Sequence, residues 1–570
     1  MTTDFSALPP RIGSVLASIA SMSSTGTPAE GTNPVMGTAL RLSDALENGA
    51  ITFEDVTQMV RTLRDQAFLS RSRRLHRYVG GATLDTAQDK LRHVAEQLCA
   101  SLPTLSFAAY SQLVSSTRFA AVFTAHPTFA LSNPVYEALA QSASLDIPPE
   151  TAPFFATHRR SVHPTLEEEF TLAVQAITRA RDAIDQLNAA LLTTAKNIWP
   201  QEWTTLSPRP VIATSWVGYD TDGRTDIGWW DTLRLRLRMK LFQLMRLDRQ
   251  ITHEGVLAPQ LSETLQKAID CVKAQISAVP NGATDGQAVA RFAELMVNAR
   301  TTALTSASDL NALLQSAIEA APPSAQLPLA VARAGFMAHG LGLAHTHVRL
   351  NASQIHNFVR QKLNLLDDPT NPAQRRALLN RVNDALDGVT PVPVDFGALL
   401  SDPSSAGRLM MTIAQIVKYV DSDTPVRFLI AETETGYTLL TALWIATYFG
   451  VADRIEISPL FETEDALVKG EHIVEEALRS PIWRDYVRRM GRICFQFGYS
   501  DSGRYIGQLA ASYQIERLRL HIHDLLVRWD LSDVEVVFFD THGESIGRGA
   551  HPFRMADRLD YLSPAHVRKR

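Results

Sequence analysis

Short apolar segments rich in β-branched residues alternate with longer helical stretches over most of this chain, and this alternation restricts the folds available to it. Each apolar segment runs into a polar or glycine-containing stretch, and a sequence with helical periodicity follows. Continuous apolar strands separated by amphipathic helices are typical of a parallel sheet that helices cover on both faces. The pattern therefore predicts an α/β fold. The predicted strands are Phe119 to Thr124, Pro210 to Val217, Leu341 to Leu350, Val426 to Ala431, Ile455 to Leu460, Ile493 to Gly498 and Val534 to Phe539.

Long helical insertions separate the first three predicted strands, and they include Leu166 to Trp199 and Thr232 to Asp270. We therefore predict a TIM-type β/α barrel embedded in many extra α-helices, with a mostly α composition overall. Such a barrel closes with eight strands, whereas the sequence shows seven and no eighth is found. The predicted organisation is a flexible N-terminal segment over residues 1–35, N-terminal helices over 36–115, and a barrel over 116–570 with insertions at about 130–205 and 225–335.

Charge and cysteine content exclude several classes of protein. A formal net charge of −5 gives no electrostatic basis for binding a phosphate backbone, so we expect no nucleic-acid partner. The three cysteines have no CxxC spacing, which indicates neither a disulfide framework nor a zinc site and fits a reducing cytoplasm. No apolar run approaches the roughly 20 residues that span a bilayer, so we expect no membrane partner.

Polar residues cluster directly after almost every predicted strand, at the edge of the sheet where β/α barrels carry their active sites. The first strand leads to His126, and the proline after it fixes the turn. Taken alone, a histidine in this position is more often a hydrogen-bonded structural residue. The second strand leads to Asp220 and Asp222, which could bind a cation or form an Asx turn.

The third predicted strand ends in a basic cluster. Alternation along a strand would place His345, His347 and Arg349 on the same side of the sheet. Two histidines placed in this way could bind a metal ion. Inward packing with hydrogen bonds is at least as good an interpretation.

Two carboxylates follow neighbouring strands, Glu462 after the fifth and Asp501 after the sixth. Such a pair can bind a hard divalent ion and leave its other positions to water and an oxyanion substrate. The alternative is structural, with Asp501 capping the following helix and Glu462 paired with an arginine. After the seventh strand, the segment from His542 to Gly549 has glycines that permit close approach of a ligand, and Arg548 adds a forked donor for carboxylate or phosphate.

Taken in order, these segments resemble the signature sequences of phosphoenolpyruvate carboxylases. The resemblance is collinear over roughly Phe119 to Gly549, and its strength lies in the order of six segments and not in any single motif. The matching segments are Thr124 to Thr128 with TAHPT, Trp216 to Gly223 with WxGGDxDG, Val348-Arg349 with the arginine of LDIRQ, Pro459 to Thr463 with PLFET, Gly498 to Gly503 with GYSDS, and His542 to Gly549 with HGRGGxxGRGG.

The resemblance implies a lyase that forms oxaloacetate and phosphate from phosphoenolpyruvate and bicarbonate. Glu462 and Asp501 would bind Mg²⁺ or Mn²⁺, and the metal would stabilise the enolate of pyruvate. His126 would be associated with carboxyphosphate formation. Arg349 and Arg548 would hold anionic groups, for which a guanidinium is well suited.

Several positions within the matching segments differ from the family pattern. Arg504 stands where the family has an active-site lysine, and it keeps the positive charge but cannot exchange a proton near neutral pH. His542, which completes the implied catalytic set, opens a shortened loop that also contains Glu544. These differences leave two alternatives open. One is a metal-dependent lyase acting on another 2-oxo or enolisable acid, and the other is an inactive family member acting as a binding protein.

The resemblance also implies partners. The small-molecule partners would be phosphoenolpyruvate and bicarbonate, and the chain would form a homo-oligomer, by analogy with the family a tetramer. Only about thirty residues follow the last predicted strand, so a second polypeptide that completes the barrel is a further expectation. The expected location is the cytoplasm.

Overall fold

The computed structural model describes most of the chain. It covers residues 10, 12–15, 17, 34–79, 84–123, 131–145, 150, 162, 164–221, 226–253, 258–282, 285–365, 367–540, 560–561 and 563–569, and at 34–38, 78, 79, 84, 143, 500, 504 and 508 it describes the backbone only. The chain divides into two compact units. The smaller comprises Met1–Ala82, Leu131–Ser161 and Pro552–Met555, and the larger comprises Thr83–Ala130, Val162–His551 and Ala556–Arg570.

A single parallel sheet of seven strands forms the centre of the larger unit, and each strand pairs with the next in chain order. This is the topology that strand, helix, strand repeats produce when every connection runs the same way. The prediction of an α/β fold with seven strands is therefore confirmed. The strands are β1 (Phe119–Phe123), β2 (Val211–Ser215), β3 (His345–Asn351), β4 (Val426–Ala431), β5 (Ile455–Phe461), β6 (Arg492–Phe497) and β7 (Glu535–Asp540).

The sheet curls into a partial TIM-type barrel. The ring of Phe539 on β7 lies 5.6 Å from that of Trp216, which follows β2, and 5.5 Å from that of His347 on β3. Such contacts between the last strand and the second and third require the inner face of the sheet to close upon itself. The predicted barrel type is thus confirmed as a curled half-barrel, and the part of the chain that the structure describes contains no eighth strand.

Helices make up most of the described chain, as predicted. The smaller unit contains α1 (Pro34–Glu47), α2 (Phe53–Val79) and α5 (Asn133–Ala143). The larger unit contains α3 (Leu84–Ala100), α4 (Phe107–Ser115), α6 (Leu166–Ile198), α7 (Trp229–His253), α8 (Pro259–Ala278), α9 (Gly286–Asn298), α10 (Ser308–Ala320), α11 (Pro323–His339), α12 (Ala352–Leu363), α13 (Pro372–Asp387), α14 (Phe396–Ser401), α15 (Ser405–Tyr419), α16 (Gly436–Tyr448), α17 (Glu464–Leu478), α18 (Pro481–Met490), α19 (Tyr499–Tyr505), α20 (Gln508–Arg528) and α21 (Ala565–Lys569).

The predicted start of the third strand was wrong, and local chemistry explains the difference. The third strand begins at His345 and not at Leu341, because Gly340 takes a positive φ of 61° and the Leu343 amide donates to α7 and not to the sheet. The helical insertion predicted from Thr232 to Asp270 consists of two helices, and Pro259 occupies the first position of α8, where its lack of an amide proton does no harm.

An ionic layer lies at the amino ends of the last four strands, on the inner face of the sheet. Glu456 on β5 accepts from Arg427 on β4 at 2.7 and 3.1 Å and from Arg492 on β6 at 3.1 Å. Arg492 also contacts Glu535 on β7 at 2.9 Å. Burial alone would raise the pKa of Glu456, but the two arginines hold it below its usual range. This layer joins four strands at the end opposite to the one where active sites lie.

None of the described helices combines the length and the apolar character that a bilayer crossing requires.

Candidate active site

Glu462 lies at the carboxyl edge of the sheet because β5 ends and α17 begins within a few residues of each other. Its neighbour Thr463 is the N-cap of α17 and accepts a hydrogen bond from the Ala466 amide at 3.1 Å. The cap fixes the turn directly after the strand. The side chain of Glu462 therefore projects from the position that sequence analysis predicted for it.

Asp501 lies in the first turn of α19, one strand further along the sheet. The turn begins at Gly498, whose amide donates to the Phe461 carbonyl at 2.9 Å and so ties the end of β6 to the end of β5. A Cβ atom added to Gly498 would lie only 2.6 Å from the Cβ of Glu462, so only glycine permits this approach. Gly498 and not Asp501 is the N-cap of α19, and the alternative in which Asp501 caps the helix is wrong.

The electrostatics of Glu462 show that the two acids interact. Burial is the main cause of a rise in the pKa of Glu462 to about 6, and the negative charge of Asp501 adds to it. The positive charge of Arg349 opposes the rise, as does a hydrogen bond at 3.0 Å from the Glu432 amide to Oε1 of Glu462. Glu462 is thus a partly buried carboxylate whose ionised form a nearby cation would favour.

Arg349 is held at the mouth of the barrel by the loop that follows β2. Its Nε donates to Oδ1 of Asp220 at 2.9 Å, and the two residues also form an isolated parallel bridge between their backbones. The hydroxyl of Thr221 donates to the Arg349 carbonyl at 3.0 Å. Asp220 was predicted to bind a cation or form a turn, and the structure shows that its carboxylate pairs with Arg349.

Glu432 is a third acid at this edge, and sequence analysis missed it. It directly follows β4 and adopts the left-handed conformation with φ of 57°, which is costly for a residue other than glycine. Its side chain is exposed, and its charge contributes to the rise in the pKa of Glu462. The available signal was its position after an apolar strand, the same signal that identified Glu462.

The two histidines on β3 face inward, as one of the two interpretations predicted. His345 makes a ring hydrogen bond at 2.9 Å with the Ala338 carbonyl, and burial lowers its pKa. His347 packs edge-on against Phe539, and burial holds its pKa well below its usual range. The two imidazoles pack inside the barrel, and among the described residues they belong to no group that could hold a metal ion.

A divalent ion fits the Glu462 and Asp501 pair on the chemistry of the donors. Carboxylate oxygens are hard ligands, and Mg²⁺ usually keeps several waters when only one or two carboxylates bind it. Within the described ranges, no group of three or more His, Cys, Asp and Glu side chains is arranged to hold a metal ion. The pair would therefore bind a metal together with water and substrate, and not enclose it.

Four predicted catalytic residues remain untested by the geometry. His126, His542 and Arg548 lie outside the described residues, and for Arg504 only the helical backbone of α19 is described. The structure brings together Glu462, Asp501 and Arg349, which come from three different parts of the sequence.

The comparison with known proteins identifies the family. The model of the family described as phosphoenolpyruvate carboxylase matches residues 230–556, which is more than half of the chain and includes the acidic pair. The chain belongs to the phosphoenolpyruvate carboxylase family. The resemblance that the motifs predicted is therefore confirmed.

Individual members of the phosphoenolpyruvate carboxylase family are only distantly similar to this chain. The enzyme of that name from Aeromonas salmonicida (strain A449) is 25% identical over 165 residues, which are 29% of this chain and 18% of the relative. The one from Synechococcus sp. (strain WH7803) is 32% identical over 108 residues, 18% of this chain and 10% of the relative. The one from Roseiflexus castenholzii (strain DSM 13941 / HLO8) is 25% identical over 188 residues, which are 32% of this chain and 19% of the relative. The aligned segments span less than a fifth of each relative.

Proposed function

We propose that this chain is a metal-dependent carboxy-lyase that converts phosphoenolpyruvate and bicarbonate to oxaloacetate and phosphate. The observation that carries the proposal is the approach of Glu462 and Asp501 at the carboxyl edge of a β/α sheet, with the charge of Arg349 acting on the same carboxylate. This is the edge at which enzymes of this architecture carry their chemistry. Family membership supports the reaction type.

Each described residue has a role that its surroundings allow. Glu462 and Asp501 would hold Mg²⁺ or Mn²⁺, which supplies positive charge where an enolate develops. Arg349 would bind the phosphate or carboxylate of the substrate, and its bond to Asp220 would fix the direction of its guanidinium. His126, His542, Arg504 and Arg548 are proposed to act as the resemblance implies.

The proposed reaction balances without a further co-reactant. A bicarbonate oxygen forms a bond to phosphorus while the bond from phosphorus to the enol oxygen breaks. The resulting carboxyphosphate divides into carbon dioxide and phosphate. The enolate carbon then forms a bond with carbon dioxide and gives oxaloacetate. Both anionic stages need cationic groups in a site with little water.

A coupled oxaloacetate assay with Mg²⁺ or Mn²⁺ tests the proposal. Wild type should form oxaloacetate only when the metal is present, and Asp501→Asn should lose at least a hundredfold in kcat/KM. Asp465→Asn removes an exposed carboxylate from the first turn of α17 and is the matched control, which should keep wild-type activity. Electron paramagnetic resonance of Mn²⁺ should show weaker binding for Asp501→Asn alone. Equal activity in all three proteins would overturn the assignment of Asp501.

The charge at the mouth favours one second candidate. Glu432 adds a negative charge beside the acidic pair, and Asp220 already pairs with Arg349. A phosphorylated substrate carries more negative charge than an unphosphorylated acid and is repelled more strongly by such a site. A metal-dependent lyase acting on another 2-oxo or enolisable acid is therefore the second candidate. Metal-dependent turnover of oxaloacetate or a related 2-oxo acid, with no turnover of phosphoenolpyruvate, would favour it.

The assembly and location of the protein are also proposals. By analogy with the family we propose a cytoplasmic homo-oligomer, most simply a tetramer, and as an alternative a second polypeptide that completes the barrel. Light scattering on the purified chain distinguishes these arrangements, because a stable monomer would contradict both.

A further inference from the structure

Glu432 holds a backbone conformation that most side chains avoid. It is the first residue after β4, and its φ of 57° lies in the left-handed region. Residues other than glycine, asparagine and aspartate seldom occupy this region, because their Cβ atom comes too close to the backbone carbonyl oxygen. Such strain persists in a native fold only where the surrounding structure imposes it, and it is concentrated at functional sites. The conformation of Glu432 therefore calls for an explanation.

Both neighbours of Glu432 are buried and held in place. Ala431 ends β4, where it is in register with Asn351 on β3. The hydroxyl of Thr433, which is 0% exposed, donates to the Ile430 carbonyl at 2.8 Å and closes a turn around Glu432. With both neighbours fixed, a change of Glu432 to a negative φ would require the planar peptide between Ala431 and Glu432 to rotate. The left-handed conformation and the direction of the Glu432 amide are therefore linked.

The amide of Glu432 is directed at Glu462. The ladder between β4 and β5 ends at the pair formed by Ile430 and Pro459, so this amide lies beyond the ladder. It donates to Oε1 of Glu462 at 3.0 Å. Among the described residues no other donor reaches the Glu462 carboxylate, so its Oε2 atom is left without a hydrogen bond from that part of the chain. A backbone group thus holds one oxygen of a proposed metal ligand and leaves the other available.

The other non-glycine residues with a positive φ in the described ranges use their amides differently. They are Leu304, Asn364 and Asp530. Each of their amides donates to a backbone carbonyl three or four residues earlier, which is how helix ends and tight turns are commonly closed. Glu432 follows a strand, and its amide reaches a side chain 30 residues further along the chain. The strain at Glu432 therefore accompanies a contact with the acidic pair and not the end of a helix.

The side chain of Glu432 does not account for the conformation. It is exposed, and within the described ranges it makes neither a hydrogen bond nor an ion pair. It also does not join Glu462 and Asp501 as a third ligand, because the described residues include no group of three acids, histidines or cysteines arranged to hold a metal ion. The contact that remains is made by the amide, which any residue that tolerates a positive φ could supply.

We propose that Glu432 is a positioning residue that acts through Glu462. Its left-handed backbone holds an amide on Oε1, fixes the rotation of the carboxylate and leaves Oε2 for the metal ion. The inference rests on the proposed metal site and adds to it the residue that holds one ligand in its binding orientation. A backbone donor between two fixed neighbours suits this role because it cannot turn away. Loss of a hydrogen bond that orients a metal ligand typically weakens metal binding by about 10–100-fold.

Two neutral substitutions separate the backbone of Glu432 from its side chain. Glu432→Gly keeps the left-handed turn and the amide, whereas β-branched valine is not tolerated at a positive φ, so Glu432→Val should rotate the amide away from Glu462. Electron paramagnetic resonance of Mn²⁺ measures the Kd of each protein. Glu432→Gly should weaken binding by no more than threefold, because one negative charge is lost, and the Kd of Glu432→Val should be at least tenfold above that of Glu432→Gly. Equal Kd values for the two variants would overturn the proposal, as would a tenfold loss in Glu432→Gly.

Asp530→Val is the matched control for strain. Asp530 is an exposed acid with a φ of 54° between α20 and the start of β7, at the end of the sheet opposite to the acidic pair. Both valine variants should lower the midpoint of thermal unfolding, and only Glu432→Val should weaken Mn²⁺ binding. Glu432→Gly relieves the strain and should unfold at or above the wild-type midpoint. An equal loss of Mn²⁺ affinity in Asp530→Val, or a lower midpoint for Glu432→Gly, would contradict the inference.

Mn²⁺ binding keeps this inference separate from the proposed activity. If wild type binds Mn²⁺ but forms no oxaloacetate, the proposed reaction fails, and the Kd values of the Glu432 variants still decide the inference. If wild type binds no Mn²⁺, the positioning role is overturned together with the metal site on which it rests.

Discussion

Replacement of Glu462 by glutamine should stabilise the metal-free protein at neutral pH, although it removes a proposed metal ligand. The pKa of Glu462 rises from its ordinary value of 4.5 to about 6 in the folded protein, chiefly through burial. A group that binds its proton more tightly in the folded state contributes stability fully below pH 4.5, and that contribution is lost as the pH rises through 6. Glutamine stays neutral and keeps an acceptor for the Glu432 amide, so it avoids this loss.

The magnitude follows from the difference between the two pKa values of Glu462. At about 1.36 kcal/mol for each tenfold change in proton affinity, the rise from 4.5 to about 6 corresponds to about 2 kcal/mol at neutral pH. Partial contact of the carboxylate with solvent reduces the expected difference to about 1–2 kcal/mol. Roughly half of it should develop between pH 5 and pH 7.5, because the carboxylate ionises in the folded state within that range.

Urea unfolding of wild type and Glu462→Gln at pH 5 and pH 7.5, with a chelator present, measures this difference. Glu464→Gln, which neutralises an exposed carboxylate in the first turn of α17, is the control and should lower stability slightly, by about 0.5 kcal/mol, and by the same amount at both pH values. Addition of millimolar Mg²⁺ or Mn²⁺ should then favour wild type over Glu462→Gln, because only the folded wild type gains binding energy. A metal-free Glu462→Gln protein less stable than wild type at pH 7.5, or a difference independent of pH, would refute the reasoning.

Three further substitutions test other parts of the structure. Glu456→Gln leaves the mostly buried Arg427 and the half-buried Arg492 without their common carboxylate, so urea unfolding should show a loss of about 3 kcal/mol. A loss below about 1 kcal/mol would contradict the structural role of the ionic layer. Gly498→Ala forces a Cβ against Glu462, so Mn²⁺ affinity should fall at least tenfold while the circular dichroism spectrum stays unchanged. A variant that binds Mn²⁺ as tightly as wild type would show that the close approach is unimportant. Asp220→Asn keeps an acceptor for Arg349 but removes a negative charge, so the KM for phosphoenolpyruvate should fall about 3–10-fold. An increase in this KM would indicate that substrate binding needs the charge of Asp220.

The positions of the two proposed metal ligands could be predicted because each belongs to a local pattern. Glu462 and Asp501 follow apolar strands directly, and parallel strands bring their carboxyl ends to one edge. The pairing of Asp220 with Arg349 could not be predicted, since it joins residues far apart in sequence and depends on how the loop after β2 meets β3. Glu432 was missed although it also follows an apolar strand directly. Its left-handed backbone conformation could not be predicted, because residues other than Gly, Asn and Asp seldom adopt it.

The role of a polar residue inside a strand depends on its position along that strand. A strand buried on both faces needs no polar side chain for packing, so each one it contains requires a partner or a ligand. Arg427 and Glu456 lie near the amino ends of β4 and β5, and they satisfy each other. Gln496 lies near the carboxyl end of β6 and has no such partner among the described residues. Polar residues at the amino ends of the strands therefore stabilise the sheet, whereas those at the carboxyl ends lie at the edge where enzymes of this architecture carry their chemistry.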